Sequence, residues 1–270
     1  MTNTTRMMDH FSLAHFERAL EGFRPPDEAF DPHGSWENAY SIFECSQGMR
    51  AVGALRIARE RGRDGATLRI HHTKQAVGGS VRCVIEMVCA SDALATPRRW
   101  TADTVVLDTE GAPIEETRLV ETGDVRRGAL RVKAGDRARK IEVGEPFAFH
   151  WALFDAIQRM RPAAETIHRF TLVDRLSYQV KPNHTLTYRT SAQVEVGGRK
   201  TWREEKQELD VGTVYRPVPA REGAVPTMLH AFDQTGEGIL PIVYWVTDQG
   251  RLLFALSGLI GHIYNPGAGA

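Results

Sequence analysis

The most regular feature of this chain is a series of short segments in which hydrophobic and polar residues alternate. Alternation with period two is typical of β-strands that bury one face and expose the other. Between residues 40 and 143 it predicts eight strands: Tyr40–Gln47, Arg50–Glu60, Thr67–Lys74, Ser80–Ala90, Thr101–Asp108, Ile114–Thr122, Arg127–Lys133 and Arg137–Val143. Glycine-containing pairs such as Gly78-Gly79 and Gly123-Asp124 are predicted to form the turns, and short connections of this kind favour an antiparallel meander.

Two segments instead have the spacing of helices. An apolar stripe predicts an N-terminal helix over Met8–Phe23, which the pair Pro25-Pro26 ends. A second helix is predicted over Phe147–Met160, after Gly144-Glu145-Pro146. Its apolar residues cover almost the whole circumference, so we expect it to be buried.

Period two then returns up to the C-terminal region. The predicted strands are Ser177–Val180, Thr185–Val196, Lys200–Val211, Ile239–Thr247, Arg251–Ser257 and Leu259–Tyr264. The predicted fold is therefore mostly β, of the α+β class: a long curved antiparallel sheet or half-barrel wrapped around one buried helix, with an N-terminal helix. We expect a single domain over residues 1–270, composed of a helix and loop (1–35), a first strand set (36–146), the buried helix (147–161) and a second strand set (165–265).

Two stretches in the last third of the chain resemble a known family. They are Tyr244-Trp245-Val246-Thr247-Asp248-Gln249-Gly250-Arg251-Leu252-Leu253 and the strand pair around Gly197-Gly198, which is followed by Lys200-Thr201-Trp202. Both resemble a bacterial domain-of-unknown-function family whose fold is similar to that of the periplasmic lipoprotein carriers. The resemblance implies a half-barrel of antiparallel strands folded over a helix, and it supplies no catalytic residues.

Composition and charge exclude several classes of protein. Lys plus Arg and Asp plus Glu both number 34, so the formal net charge is zero, and a nonspecific nucleic-acid binder would be basic. No segment approaches the ~20 apolar residues of a membrane span. The N-terminal segment lacks the pattern of a secretory signal, which predicts a cytoplasmic location for the chain as given, or a periplasmic one if a signal peptide has been removed. The three cysteines match no zinc motif and are predicted to be buried thiols.

Two histidines are the first candidates for a site. In Leu68-Arg69-Ile70-His71-His72 the even positions are the apolar set, so His72 points inward and His71 outward. An inward imidazole could act as a general base or simply be a hydrogen-bonded core residue. His150 lies within the predicted buried helix and has the same two interpretations.

Three aromatic residues complete the candidate ligand-binding set. Tyr188 lies on the apolar face of its strand, and Tyr244 belongs to the predicted strand Ile239–Thr247 and is expected to point inward. Trp202 shares a face with Glu204, which suits a sugar or a polar headgroup as well as a solvated strand. If the protein has a pocket, we expect these residues, with His72 and His150, near an opening between the concave sheet and the helix. Separately, eight basic residues between Arg118 and Lys140 are interpreted as protection against edge pairing, with an anionic partner as the alternative.

The sequence names no reaction. The phosphate-binding loops, the nucleophile elbow and the zincin motif are absent, so no cofactor and no metal are predicted. The first hypothesis is a binding or carrier-like module that holds a small apolar or amphipathic ligand in the concave face of the sheet. The second is a small-molecule enzyme of the lyase or hydrolase type that uses His72 as acid and base. The third is a structural or partner-binding protein.

Overall fold

A long antiparallel meander forms the first half of the computed structural model, which describes residues 23–44, 50–174, 177–209 and 212–268; the side chains of 199–200, 202–205 and 207–221 are outside the description. Its strands are β1 (Trp36–Glu44), β2 (Arg50–Arg61), β3 (Gly65–Ala76), β4 (Gly79–Ala90), β5 (Pro97–Leu107), β6 (Pro113–Arg126), β7 (Ala129–Ala134) and β8 (Arg137–Glu142). Each pairs with the next, as period two and the short turns predicted.

The second half returns to the first strand. Its elements are β9 (Phe147–Phe149), a 3₁₀ turn (His150–Ala152), helix α1 (Leu153–Gln158), β10 (Ile167–Val173), β11 (Val180–Val196), β12 (Arg199–Leu209), β13 (Gly212–Glu222), β14 (Val225–Thr235), β15 (Ile242–Thr247), β16 (Leu252–Leu256) and β17 (Ile260–Tyr264). β17 pairs with β1, with Ile42 opposite His262. The described chain thus forms one 15-stranded open sheet, in the order β8-β7-β6-β5-β4-β3-β2-β1-β17-β16-β15-β14-β11-β10-β9, and the separate hairpin β12-β13.

The helix predicted over Phe147–Met160 is not confirmed as such. Its first three residues form strand β9, which pairs in parallel with β10, and the helix itself spans only Leu153–Gln158. All six helical residues are buried. A short, wholly apolar run fits a buried strand as well as a buried helix. Here its backbone pairs with the otherwise unpaired edge of β10. The predicted N-terminal helix lies outside the described residues.

Buried polar side chains hold α1 against the inner face of the sheet. Gln158 Oε1 accepts hydrogen bonds from Asn38 Nδ2 (2.8 Å) on β1 and from the backbone N–H of Leu252 (3.1 Å) on β16. The Asp155 carboxylate contacts Arg59 Nε on β2 at 2.8 Å and Arg159 at 2.9 Å. These contacts fix the helix across the junction between the first and last strands.

The predicted turn at Gly123-Asp124 is wrong. Gly123 lies inside β6, opposite Trp100 of β5, and a Cβ on it would lie 2.1 Å from Trp100 Cζ2. The glycine is therefore needed because the indole covers its backbone. The chain turns instead at Arg127 and Gly128, both with positive φ (51° and 72°), as a two-residue hairpin of the primed type requires. The expectation of a single domain stays a prediction.

Candidate functional site

Two adjoining cavities lie between the inner face of the sheet and the turn that carries His150. One has a volume of about 290 Å³ and the other of about 270 Å³. They share four lining residues: His150, Ile239, Ile260 and His262. We call this pair the inner cavity, with its 290 Å³ part as the polar end and its 270 Å³ part as the apolar end.

His72 lines the polar end, on the inward face of β3 where strand alternation placed it. Its ring lies 5.0 Å from the indole of Trp151, centroid to centroid. Its Nδ1 is buried and has no hydrogen-bond partner among the described side chains and backbone groups. Burial lowers the pKa of His72 to about 4, with smaller contributions from Lys74 and His150, so the ring is neutral at pH 7.

His262 is a site residue that the sequence analysis missed. It lies on β17 beside Ile42 of β1, and its ring meets that of Phe154 edge-on at 5.3 Å. Burial lowers its pKa to about 3. Its parity with Ile260 in the predicted strand Leu259–Tyr264 was the signal that could have identified it as inward-facing.

His150 joins the two ends of the inner cavity. It begins the 3₁₀ turn, and its ring lies 6.4 Å from that of Phe154. Burial is the main cause of its lowered pKa, while Asp174 acts in the opposite direction. Within the described chain no group of three or more His, Cys, Asp or Glu side chains is arranged to hold a metal ion. We therefore interpret the imidazoles of His72, His150 and His262 as neutral polar groups that line the inner cavity.

Charged side chains are confined to the polar end. Lys74 follows His72 on the same face of β3 and lies 3.9 Å from Glu44. Lys181 reaches the cavity from β11 and donates a hydrogen bond to the carbonyl of Gly238 at 3.0 Å. Asp174, just after β10, lines the same end. Two cations and one carboxylate therefore surround this end of an otherwise apolar space.

The apolar end is built around two buried rings. Tyr244 is fully buried, its ring stands perpendicular to that of Phe154 at 6.1 Å, and its hydroxyl donates to Gln234 Oε1 at 2.7 Å. Burial raises the pKa of Tyr244. Leu240 and Leu259 line this end too, yet they are 50% and 53% exposed. The apolar end therefore reaches the surface through hydrophobic side chains.

Two of the five predicted ligand-binding residues are not placed at the inner cavity. Tyr188 is half-buried away from it; its hydroxyl bonds Ser191 Oγ at 2.7 Å and its ring packs against Phe232 at 5.7 Å. The register shift between Tyr188 and Thr190 falls at this point of β11, so alternation across it does not predict orientation. The side chain of Trp202 lies outside the described residues. The structure thus brings His72, His150 and Tyr244 together.

A second polar array lies on β11 and β14, on the same sheet face as Phe232 and Tyr244. Ser191 Oγ is 2.5 Å from His230 Nδ1, and His230 Nε2 is 2.8 Å from Asp248 Oδ1. The order resembles a serine–histidine–carboxylate relay, but such a relay also requires oxyanion donors and a pocket beside the serine. Ser191 is exposed and lines neither part of the inner cavity, so we interpret the array as a link between β11, β14 and the turn after β15.

Comparison with known proteins supports the fold and names no activity. No family model matches the chain, and no curated protein matches it. A solved structure that is similar is the crystal structure of a beta-barrel-like protein of domain of unknown function DUF1849 from Brucella abortus, with a TM-score of 0.53 and 9% sequence identity. The match covers 86% of this chain and 96% of that one. The predicted resemblance to a bacterial domain of unknown function with a barrel-like fold is confirmed at the level of the fold. None of the described helices has the length and apolar character needed to cross a membrane.

Proposed function

We propose that this protein is a binding or carrier-like module that holds a small apolar or amphipathic ligand in the inner cavity. The observation that carries the proposal is the pairing of an apolar end, open through Leu240 and Leu259, with a polar end that contains Lys74 and Lys181. Each part alone lies just below the ~300 Å³ at which small-molecule pockets begin, and together they exceed it.

The distribution of charge supports an amphipathic ligand. An acyl or other hydrocarbon group in the apolar end would contact Phe154, Tyr244 and Ile242 and gain roughly 0.8 kcal/mol for each buried methylene. A polar headgroup would lie toward Lys74, Lys181 and Asp174. The histidines between them offer hydrogen bonds without a charge, which suits a group that passes from polar to apolar surroundings.

The lowered pKa values favour binding over acid–base catalysis. A general base works best when its pKa is near the operating pH. His72, with a pKa of about 4, and His262, with a pKa of about 3, are weak bases at pH 7. The alternative of a lyase or hydrolase that uses His72 is therefore less well supported.

The proposal is tested with a fluorescent medium-chain fatty acid as the probe and with variants at the mouth of the apolar end. Leu259→Lys places a charge at the mouth, and Ile167→Lys changes an equally exposed residue (53% each) away from the cavity. We expect Leu259→Lys to weaken probe binding at least tenfold and Ile167→Lys to leave it unchanged. Equal effects of the two variants, or no saturable binding by the parent protein, would contradict the proposal. Native mass spectrometry of the purified protein shows whether a ligand co-purifies with it.

A further inference from the structure

A further cavity, wider than the inner cavity, lies on the outer face of the sheet. It is an open trough of about 1000 Å³ across β4 to β8. Six basic residues line it: Arg99, Arg126, Arg131, Lys133, Arg139 and Lys140. The acidic residues that line it are Glu86 and Asp124. We call it the basic trough.

Strand register arranges the floor of the basic trough in two rows. The first row crosses four strands, since Arg99 pairs with Asp124, Asp124 with Arg131, and Arg131 with Lys140. The parallel row joins Glu86, Thr101, Thr122 and Lys133 in the same way. Cross-strand partners share a face, and strands lie ~4.8 Å apart, so Arg99 and Arg131 are about 10 Å apart across the floor.

The carboxylates of the trough are already paired. Asp124 lies 3.0 Å from Arg126, and Glu86 lies 3.3 Å from Arg69 on β3. By contrast, Arg99, Arg131 and Lys133 are exposed and make no ion pair with any residue that the structure describes. Of the other basic residues, Arg139 lies 3.9 Å from Glu121, and Lys140 pairs with Glu142. Three cations of the trough are therefore left without an acidic partner among the described residues, with the exposed hydroxyls of Thr101 and Thr122 between them.

Protection of a sheet edge explains only part of this pattern. β8 ends the sheet, and basic residues on it are well placed to oppose pairing with another chain. Arg99 and Arg131, however, lie on β5 and β7, which have neighbours on both sides. Edge protection gives no reason for cations on interior strands to converge on a concave surface.

We propose that the basic trough binds a phosphate-bearing group with more than one negative charge. Arginine guanidinium groups bind phosphate oxygens through paired N–H donors, and threonine hydroxyls and a lysine complete a set of donors around one anion. A concave floor with donors on adjacent strands suits a discrete group that enters it. The group belongs either to a free phosphorylated molecule or to a lipid headgroup, because both present the same oxygens.

The test uses inorganic tripolyphosphate, titrated calorimetrically at low ionic strength because salt screens exposed charges. The site variant is Arg131→Gln/Lys133→Gln. The control, Arg137→Gln/Arg63→Gln, makes the same change in net charge; Arg137 lies on β8 but alternates to the other face from Lys140, and Arg63 lies in the turn before β3. We expect the site variant to lose at least tenfold in affinity and the control to stay within twofold of the parent.

A second arm identifies the source of the phosphate. Sedimentation with phosphatidylcholine vesicles that contain phosphatidylinositol 4-phosphate, whose headgroup carries more than one negative charge, is compared with tripolyphosphate binding for the same variants. Tripolyphosphate binding that depends on Arg131 and Lys133 indicates a free phosphate ligand, and vesicle binding alone, with the same dependence, indicates a lipid headgroup. The proposal is overturned if neither probe binds, or if site and control variants lose binding equally. These residues do not line the inner cavity, so the outcome is independent of the fatty-acid test.

Discussion

The His72→Gln substitution tests whether the polar end of the inner cavity is as desolvated as its contacts indicate. In the folded protein the pKa of His72 is about 4, chiefly because of burial, against an ordinary value of 6.5. A depressed pKa means that the unfolded chain binds the proton more readily than the folded one. Stability contributed by the neutral ring is therefore full above pH 6.5 and is lost as the pH falls from about 6.5 toward 4.

The magnitude follows from the two pKa values. Proton linkage between 6.5 and about 4 gives a loss of about 2 kcal/mol in the free energy of unfolding between pH 7 and pH 5. His262 and His150 have lowered pKa values for the same main reason and add to the total slope of the parent protein. The contribution of His72 is thus read from the difference between parent and variant rather than from the parent alone.

Urea denaturation of the parent and of His72→Gln at pH 7, 6 and 5 measures this difference. We expect the parent to lose about 2 kcal/mol more than the variant over this range, with equal m-values. His71→Gln controls for the loss of an imidazole from the exposed face of the same strand. If parent and His72→Gln lose stability in parallel, the imidazole is well solvated and the description of the polar end is wrong.

Three further substitutions test the packing around both surfaces. Phe154→Ala should cost ~3–5 kcal/mol in urea denaturation, because the ring is 1% exposed and packs against Tyr244; a loss below ~1 kcal/mol would contradict its central place. Asp155→Asn should lower the free energy of unfolding by ~3–5 kcal/mol, since it leaves two arginines beside a neutral amide, and an unchanged denaturation midpoint would rule this out. Gly123→Ala should cost ~1–3 kcal/mol and change tryptophan fluorescence, whereas Gly258→Ala, with open space around it, should do neither.

Much of the meander was predictable because its strands bury one face. β2, β3 and β4 begin and end within two residues of the predicted bounds, and glycines mark their turns. The same rule failed for Gly123, which looked like a turn residue because sequence alone does not reveal that Trp100 covers it. A glycine inside a strand and a glycine in a turn differ by a contact with a distant residue.

Strands that break the usual composition were missed. β13 contains Pro217 and Pro219, and β14 contains Pro226. A segment with proline is less readily predicted as a strand, because proline donates no backbone hydrogen bond. β13 tolerates its prolines in a two-stranded hairpin, where one side of the strand has no partner in the described sheet. The short run Phe147–Phe149 was assigned to a helix because burial on all sides removes the periodicity that distinguishes the two structures.

The candidate site was only partly predictable, because some of its residues come together through strands that pair across a long stretch of sequence. Alternation predicted that His72 points to the inner face of the sheet. The apolar segment Phe147–Met160 was predicted to be buried against that face, which puts its residue His150 on the same side of the sheet as His72. His262 and Lys181 are brought to the cavity that His72 lines by the β1–β17 pairing, which joins residues more than two hundred positions apart in the chain. Local patterns determine which way a residue faces, but they carry no information on which strands become neighbours.

Strand alternation also explains how one chain with zero net charge presents two surfaces of opposite character. His72 faces the largely apolar inner cavity while its neighbour His71 is exposed, and Trp100 is buried while Arg99 faces the basic trough. Net charge sums over both faces, so an excess of cations on one part of the outer face is offset by acidic residues elsewhere. The balance of 34 basic and 34 acidic residues therefore argues against binding by overall charge alone and leaves room for a local anion site. The charges that matter for recognition are those that strand register places side by side.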